Sequence, residues 1–425
     1  MEPPTDTDEA VARWRRRTLA TLWITYAASY LGRQNLPAAL TAIRADTGLD
    51  EAALGQVGAV FFLVYGVGQF INGLIGDRVG ARGFIALALF ASALLNIAFG
   101  FASSLGVMMI VWGANAYFLS IGWNQVVKTT SRWFPPRMWG KAGGVLSTCY
   151  VIGKVGALLL AGWIAQACGW RNAFFVPGVL LLAFGAHALL RIRNSPEEVG
   201  LPAPSGRTGP AGPTHRLGLL RALASTFGNA RLLLAGATTF WITAVVYALE
   251  FWAPTYLYRE YALSVRNAAW LAAVVPVAGA VGMVAGGWAS DHLSGGRRGP
   301  IVSLGAGGAG LVLLTAFVLP GTRVESLGGV IAAWALVGAL AYAAHGLLMS
   351  AVCMEVAGPG ATATAAGFMG VCAYTGASVS SRLVGQMLDA HGWQPAFALW
   401  AGAALCAAVF MVPLWGFRAH RGSPA

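Results

Sequence analysis

ALGQVGAVFFLVYGVGQFINGLIGDRVGAR, residues 53–82, carries no charged side chain from Ala53 to Gly76 and then places Asp77, Arg78 and Arg82 in quick succession. About 20 apolar residues are enough for an α-helix to cross the hydrocarbon core of a bilayer. A basic loop directly after such a run is what fixes its orientation. Working outward, eleven more runs of this kind occur, at 19–44, 83–103, 105–130, 142–167, 171–191, 231–257, 266–290, 300–320, 327–355, 360–388 and 394–417. With 53–76 they make twelve spans, and the sequence predicts an all-α membrane protein.

Composition agrees. Of 425 residues, 57% are hydrophobic and 10% charged, where soluble domains carry about 25% charged residues. The length alone would suggest two or three soluble domains, but a chain this apolar cannot cover them with water-facing side chains. The formal net charge is +12. In a soluble protein that would suggest nucleic acid as a partner. Here the basic residues sit in short loops between apolar runs, which fits control of topology, and no nucleic-acid partner is expected. Cys149, Cys168, Cys353, Cys372 and Cys406 lie in or beside apolar runs with no CxxC spacing. Neither a disulfide framework nor a metal site is expected from them.

The start of the chain, MEPPTDTDEAVARWRRRT, is polar and then basic. The apolar run behind it is too long for the core of a signal peptide and reads as a retained helix. RWRRR before span one, DRVGAR after span two, SRWFPPRMWGK after span four, DHLSGGRR after span eight and RAHR at the end all fall on one side. The opposite connections, such as SSLG and QACGW, are nearly uncharged. The positive-inside rule then puts both termini and the basic central loop in the cytoplasm, with the chain in the cell (inner) membrane.

The central loop holds PAPSGRTGPAGPTHR, a Pro- and Gly-rich stretch that reads as a flexible linker. The expected organisation is a six-helix bundle over 1–191, a cytoplasmic linker over 192–230, and a second six-helix bundle over 231–425. The halves echo each other. Gly73-x-x-x-Asp77 after span two returns as Gly287-x-x-x-Asp291 after span eight, and Gly169-Trp170-Arg-Asn-Ala-Phe174 returns as Gly392-Trp393-Gln-Pro-Ala-Phe397. The offsets are 214 and 223 residues. Duplicated halves are the architecture of several secondary-transporter classes.

An ionisable side chain inside a span costs roughly 2.5–3.5 kcal/mol on insertion scales, so each is a functional candidate by default. Arg33 lies mid-span in span one, too deep to reach either surface easily. Its planar fork suits phosphate or carboxylate oxygens. Tyr26 and Tyr30 precede it by seven and three positions, on roughly the same helix face. The alternative for Arg33 is pairing with helix carbonyls or a neighbouring acid. Lys128 lies near the cytoplasmic end of span four, where snorkelling to the interface is the competing reading. Lys154 is mid-span in span five, four residues after Tyr150 and on its face, with a structural ion pair as the alternative. Glu250 in span seven and His345 in span ten are further intramembrane titratable candidates, although a lone histidine is as often simply packed.

Gly73-Leu-Ile-Gly-Asp77-Arg78-Val-Gly80-Ala-Arg82 resembles the loop signature of the major facilitator superfamily. Tyr30-Leu-Gly-Arg33-Gln-Asn35, Tyr65-Gly66, Gly122-Trp123, Arg132-Trp133-Phe134, Asn194-Ser-Pro-Glu-Glu-Val-Gly200-Leu201, Trp252-Ala-Pro254-Thr-Tyr256-Leu and Thr364-Ala-Ala-Gly367-Phe368 are similar to the organophosphate:phosphate antiporters. That family includes glycerol-3-phosphate, hexose-phosphate and phosphoglycerate transporters, and the likeness runs over nearly the whole chain except the linker. The nearest rival, the anion:cation symporter family of sugar-acid carriers, usually has an acid before the arginine, where this chain has Gly32.

The resemblance implies that Arg33 is an anion ligand at the cavity apex, and that Tyr26, Tyr30, Tyr65 and Tyr374 line the site. It implies a basic residue at Lys128. Tyr150 matches a position where the glycerol-phosphate transporter has a site histidine, which places Lys154 by the cavity. This sequence departs from the family in its second half. The expected helix-seven cation falls at Val246, or at Tyr247 by the internal offset, and Glu250 follows on the same face; the family's helix-two lysine is Gln69. Arg382 could stand in as a second cation. Asp77 with Arg78, and Asp291 with Arg297, are expected to hold the inward face closed.

No P-loop, HExxH or GxSxG motif occurs. The chain is therefore expected to be no enzyme, to have no catalytic residues, metal or cofactor, and to draw on ion or solute gradients. The expected function is secondary active transport of a small organic anion (an organophosphate, phosphonate or carboxylate) by antiport or proton-coupled symport. A zwitterionic substrate would also fit a site containing Arg33, Lys128, Lys154 and Glu250. The alternatives are a membrane sensor of a sugar phosphate with the same fold, or a sugar-acid symporter. The lipid bilayer is the expected environment, and the chain is expected to be a monomer.

Overall fold

The computed structural model describes residues 6–76, 78–135, 138–202, 226–357 and 362–417. Among the described residues every regular element is helical. Among the described residues ten helices are long and apolar enough to cross a membrane: Glu51–Gly76, Ala81–Gly100, Leu105–Trp133, Lys141–Cys168, Asn172–Arg191, Ala230–Glu260, Val265–His292, Arg298–Val318, Leu327–Val352 and Trp393–Leu414. Each overlaps one of the runs read from the sequence. Their outward faces are apolar too, with Val284 76%, Ile110 74% and Val409 69% exposed. Such a surface is at home in lipid, where the helices satisfy their own backbone groups and leave no polar edge bare.

The other two expected spans differ from the ten, each for a physical reason. Span eleven is a single helix, Thr362–His391. Its Ser, Thr and Gly residues make it too polar to pass as a span on hydropathy alone, yet Ser378, Ser380 and Ser381 are buried. Span one is broken. The helix Asp6–Ser29 gives way to one turn of 3-10 helix at Tyr30–Gly32 and resumes as Asn35–Thr47. The unbroken helix implied by placing Tyr26, Tyr30 and Arg33 on one helical face is therefore corrected to a helix with a kink at Arg33. Two hydrogen bonds mark the break, with Arg33 N and Gln34 N both donating to the carbonyl of Tyr30 at 3.1 Å.

Two compact units are formed, one by Met1–Ala42 and Val67–Gly212, the other by Ile43–Gly66 and Pro213–Ala425. In the first, helix Ala81–Gly100 packs along Asn172–Arg191, and the kinked first span along Trp139–Cys168. In the second, Ala230–Glu260 packs along Thr362–His391. The segment 43–66 precedes the linker in sequence but is built into this second unit. Ser378 Oγ donates to the Ala59 carbonyl at 2.8 Å, and a Cβ on Gly58 would lie 2.8 Å from Ser381 Oγ.

The internal repeat is visible in local geometry. Gly169 and Gly392 each stand just before a helix with positive φ, +85° and +75°, a region a residue with a Cβ enters only with strain. Trp170 meets Phe174 edge-on at 5.9 Å in one unit, and Trp393 meets Phe397 at 6.3 Å in the other.

Candidate functional site

In the first unit, the kink brings polar groups to the middle of the first span. Arg33 ends the 3-10 turn with φ −136° and ψ −26°. Its guanidinium carbon lies 5.1 Å from the ring centroid of Tyr30, within reach of a cation–π interaction. Tyr30 is 2% exposed and is at the centre of an aromatic cluster. Tyr26 meets it edge-on at 5.7 Å, Tyr150 at 5.9 Å, and Trp123 packs on Tyr26 at 5.1 Å. Lys154, 1% exposed, donates from Nζ to the Tyr150 hydroxyl at 3.0 Å and sits 4.6 Å from that ring's centroid. Arg33 and Lys154 are thus joined through two tyrosines into one cationic, aromatic-walled cluster. A buried ammonium needs such oxygen and π partners, because an uncompensated buried charge costs several kcal/mol.

Lys128 is placed differently. Its ammonium donates to the carbonyls of Gly76 and, at 2.9 Å, Val79, at the C-terminal end of helix Glu51–Gly76. A cation there satisfies helix-end carbonyls and complements the negative end of the helix dipole.

In the second unit, Tyr65, Tyr247, Tyr374, Glu250, Tyr342 and His345 are gathered. Tyr65 and Tyr374 are 4.7 Å apart, Tyr374 stacks on Tyr247 at 5.6 Å, and Phe62 stacks on the same Tyr247 at 5.9 Å. Tyr247 Oη lies 3.5 Å from His345 Nε2. Tyr342 donates its hydroxyl to Glu250 Oε1. Tyr247, the counterpart of Arg33 by the internal offset, and Val246, the counterpart by the motif alignment, are both buried in an unbroken helix, Ala230–Glu260. Arg382 is exposed.

Of the residues expected at the inward ends, Asp77 lies outside the described residues, and Arg78 is exposed. Asp291 pairs with Arg298 at 2.5 Å, and the same guanidinium reaches Glu355 at 3.1 Å. Arg297, expected at the inward end with Asp291, donates from Nε to the Ser294 carbonyl at 3.1 Å. The next arginine in the chain faces the acids because Arg298 opens the helix while Arg297 caps it.

Tyr342 and the buried asparagines Asn96 and Asn115 were not singled out from the sequence, and Asn35 and Trp123 were named only within motifs that carry the family resemblance, not as site residues. Tyr342 gave a signal, a polar tip three residues before His345 and so on its face. The asparagines gave another, since amides are rare in apolar spans and usually hydrogen-bond across helices. Among the described residues no group of three or more His, Cys, Asp or Glu side chains is placed to hold a metal ion.

The model of the Major Facilitator Superfamily matches residues 22–381. The chain is similar to the "Probable hexose phosphate transport protein" of Chlamydia pneumoniae, 28% identical over 95% of this chain and 91% of that one. To the "Membrane sensor protein UhpC" of Escherichia coli it is also 28% identical, over 96% and 94% of the two chains. Among solved structures it resembles a bacterial homolog to the human lysosomal transporter Spinster, with a TM-score of 0.74 and 18% identity over 95% of each chain.

Proposed function

We propose, from the premise that this chain belongs to the Major Facilitator Superfamily, that it is a secondary transporter carrying a small organic anion by alternating access. The observation that carries this reading is the joined pair of cations in the first unit, Arg33 on Tyr30 and Lys154 on Tyr150. A guanidinium offers two parallel N–H donors to a phosphate, phosphonate or carboxylate, and a compact ammonium offers a second charge. Aromatic walls exclude water around them and strengthen both. The hexose-phosphate relative supports a phosphorylated or similarly tetrahedral anion as the cargo.

The second unit, taken by itself, holds Glu250 on Tyr342 and His345 near Tyr247, and no arginine stands at the position expected for a helix-seven cation. A cargo with a cationic or hydrogen-bond-donating end suits an acid there, and a proton on Glu250 suits coupling to a proton gradient. Both termini are cytoplasmic in this reading, the protein is a monomer in the inner membrane, and 1–191 and 231–425 are its two six-helix halves. Arg78, Asp291 and Arg298 then belong to the cytoplasmic ends of the spans, with a conformational rather than a cargo-binding role.

A second reading has a specific observation behind it, the equal likeness to a membrane sensor. Proteoliposomes decide between them. Loaded with inorganic phosphate and supplied with labelled glucose phosphate, aminoethylphosphonate or gluconate, they are expected to accumulate at least one of the three. Binding without accumulation would favour the sensor.

A further inference from the structure

The kink at Gly32 has a cradle of its own. The Gly32 carbonyl accepts the Asn115 side-chain amide at 2.7 Å and that of Asn96 at 3.4 Å. Asn115 is held in turn by Ser92, whose hydroxyl donates to Asn115 Oδ1 at 2.7 Å. Asn96 also donates to the Ser92 carbonyl at 2.8 Å and accepts from Asn35 Nδ2 at 2.6 Å. Asn35 Oδ1 takes the Leu36 amide at 3.2 Å, at the start of the resumed helix. None of Asn35, Ser92, Asn96 and Asn115 is more than 1% exposed.

Side-chain groups thus take over hydrogen bonds at both ends of the break, which is how an interrupted helix survives in lipid. The fit is close. A Cβ on Gly32 would come 2.5 Å from Ser92 Oγ and 3.2 Å from Leu181 Cδ1, so a larger residue there would have to displace the Ser92 hydroxyl from its place in the cradle.

We infer that Asn115, Asn96 and Ser92 are positioning residues for anion recognition: by holding the Gly32 carbonyl they fix the kink that presents the guanidinium of Arg33. Two side-chain amides from two other helices, Ala81–Gly100 and Leu105–Leu119, converge on one main-chain oxygen directly before the arginine, and Ser92 holds one of them in place. A fully satisfied buried polar network defines one geometry and resists the alternatives. An apolar substitute for Asn115 leaves the buried carbonyl with only the longer bond from Asn96, and the break relaxes toward a helical path that re-aims Arg33. The cradle supplies direction; the charge and the fork are Arg33's. This inference rests on Arg33 being the anion ligand.

The test is calorimetric titration of purified full-length protein with glucose phosphate, aminoethylphosphonate and gluconate, read as affinity and as the fraction of molecules that bind. Asn115→Leu is expected to weaken the Kd of the best probe about tenfold with the binding fraction unchanged. Ser92→Ala, a milder change that keeps the amides, is expected to weaken it about threefold, and it serves if Asn115→Leu does not fold. A merely structural role would instead lower the binding fraction and leave Kd alone, and that result overturns the inference. In an Arg33→Lys background, where the fork is already lost, Asn115→Leu is expected to add less than a factor of about two. A full additive loss there also overturns it. Wild-type affinity in Arg33→Ala, or no binding of any probe by wild type, removes the anion-ligand reading and this inference with it. Loss of binding in Arg33→Ala with wild-type Kd in Asn115→Leu and Ser92→Ala removes this inference alone.

Discussion

Lys154 Nζ donates to the hydroxyl of Tyr150 one helical turn earlier, at 3.0 Å, and the same ammonium lies 4.6 Å from the centre of that ring. With 1% of its surface exposed, this lysine is held in the interior by its neighbours rather than by water. A well-packed apolar side chain of similar length is often neutral or stabilising at such a position. Lys154→Met is therefore expected to keep or raise the thermal unfolding temperature while uptake falls at least about tenfold. Thermal shift and proteoliposome uptake on one preparation check both halves. A destabilised variant that still transports would contradict a binding role for Lys154.

Arg33→Lys tests the fork against the charge. Lysine keeps the positive charge but has neither the planar donors nor the same stacking on Tyr30. Uptake is expected to disappear while the protein reaches the membrane in normal amount. Near-normal uptake by Arg33→Lys or Arg33→Ala would remove Arg33 from the centre of the site.

Glu250 and Tyr342 form the acidic pole of the second unit. If that carboxylate takes part in proton coupling or in cargo charge balance, uptake depends on pH in the wild type. Glu250→Gln is then expected to flatten the profile, and Tyr342→Phe to change it. The measurement is uptake across a pH series with constant internal phosphate. Identical profiles in wild type and Glu250→Gln would exclude both roles.

The N-terminal end of helix Glu51–Gly76 carries an ionic cluster inside the second unit. Glu51, 2% exposed at its side chain, pairs through Oε1 with Arg44 at 2.5 Å and with Arg259 at 2.6 Å. Asp389 accepts from Glu51 N at 3.2 Å and Ala52 N at 2.6 Å, acting as a cap donated from another helix. Asp389→Ala is expected to lower stability by about 1 kcal/mol, as loss of a cap does. Glu51→Ala is expected to lower it further, by about 2 kcal/mol, with the two half-exposed arginines limiting the loss through solvent screening. Thermal unfolding of the three proteins gives the order directly.

Topology has its own check. Reporter fusions at the C-terminus and in the segment 202–215 are both expected to report cytoplasm, since the basic loops share that side. A signal from the opposite side at either place would mean one span too many or too few in the count.

The spans were legible because hydrophobic runs need only length and composition, and ten of them emerged as helices near the boundaries read from the chain. The kink was not. Gly32-Arg33-Gln34-Asn35 looked like polar residues set into a continuous helix, and nothing local says that Asn96 and Asn115, more than 60 positions away, hold the Gly32 carbonyl. Side-chain destinations were the least legible feature. Lys128 and Lys154 are both lysines within expected spans, yet one takes helix-end carbonyls and the other a tyrosine hydroxyl. Arg297 and Arg298 are adjacent in sequence, and only a helix start decides which faces Asp291.

The assignment of residues 43–66 to the second compact unit bears on what holds the chain together as a single object. A protease cut, or a genetic split, at 203–225 would yield two polypeptides, the first of which still contains 43–66. That segment is tied into the other polypeptide by Ser378 on the Ala59 carbonyl, Asp389 on the Glu51 amide and the Arg259–Glu51 pair. Peptide continuity through the linker is then expected to be dispensable. The two fragments, translated separately, carry their own non-covalent clasp and are expected to complement one another.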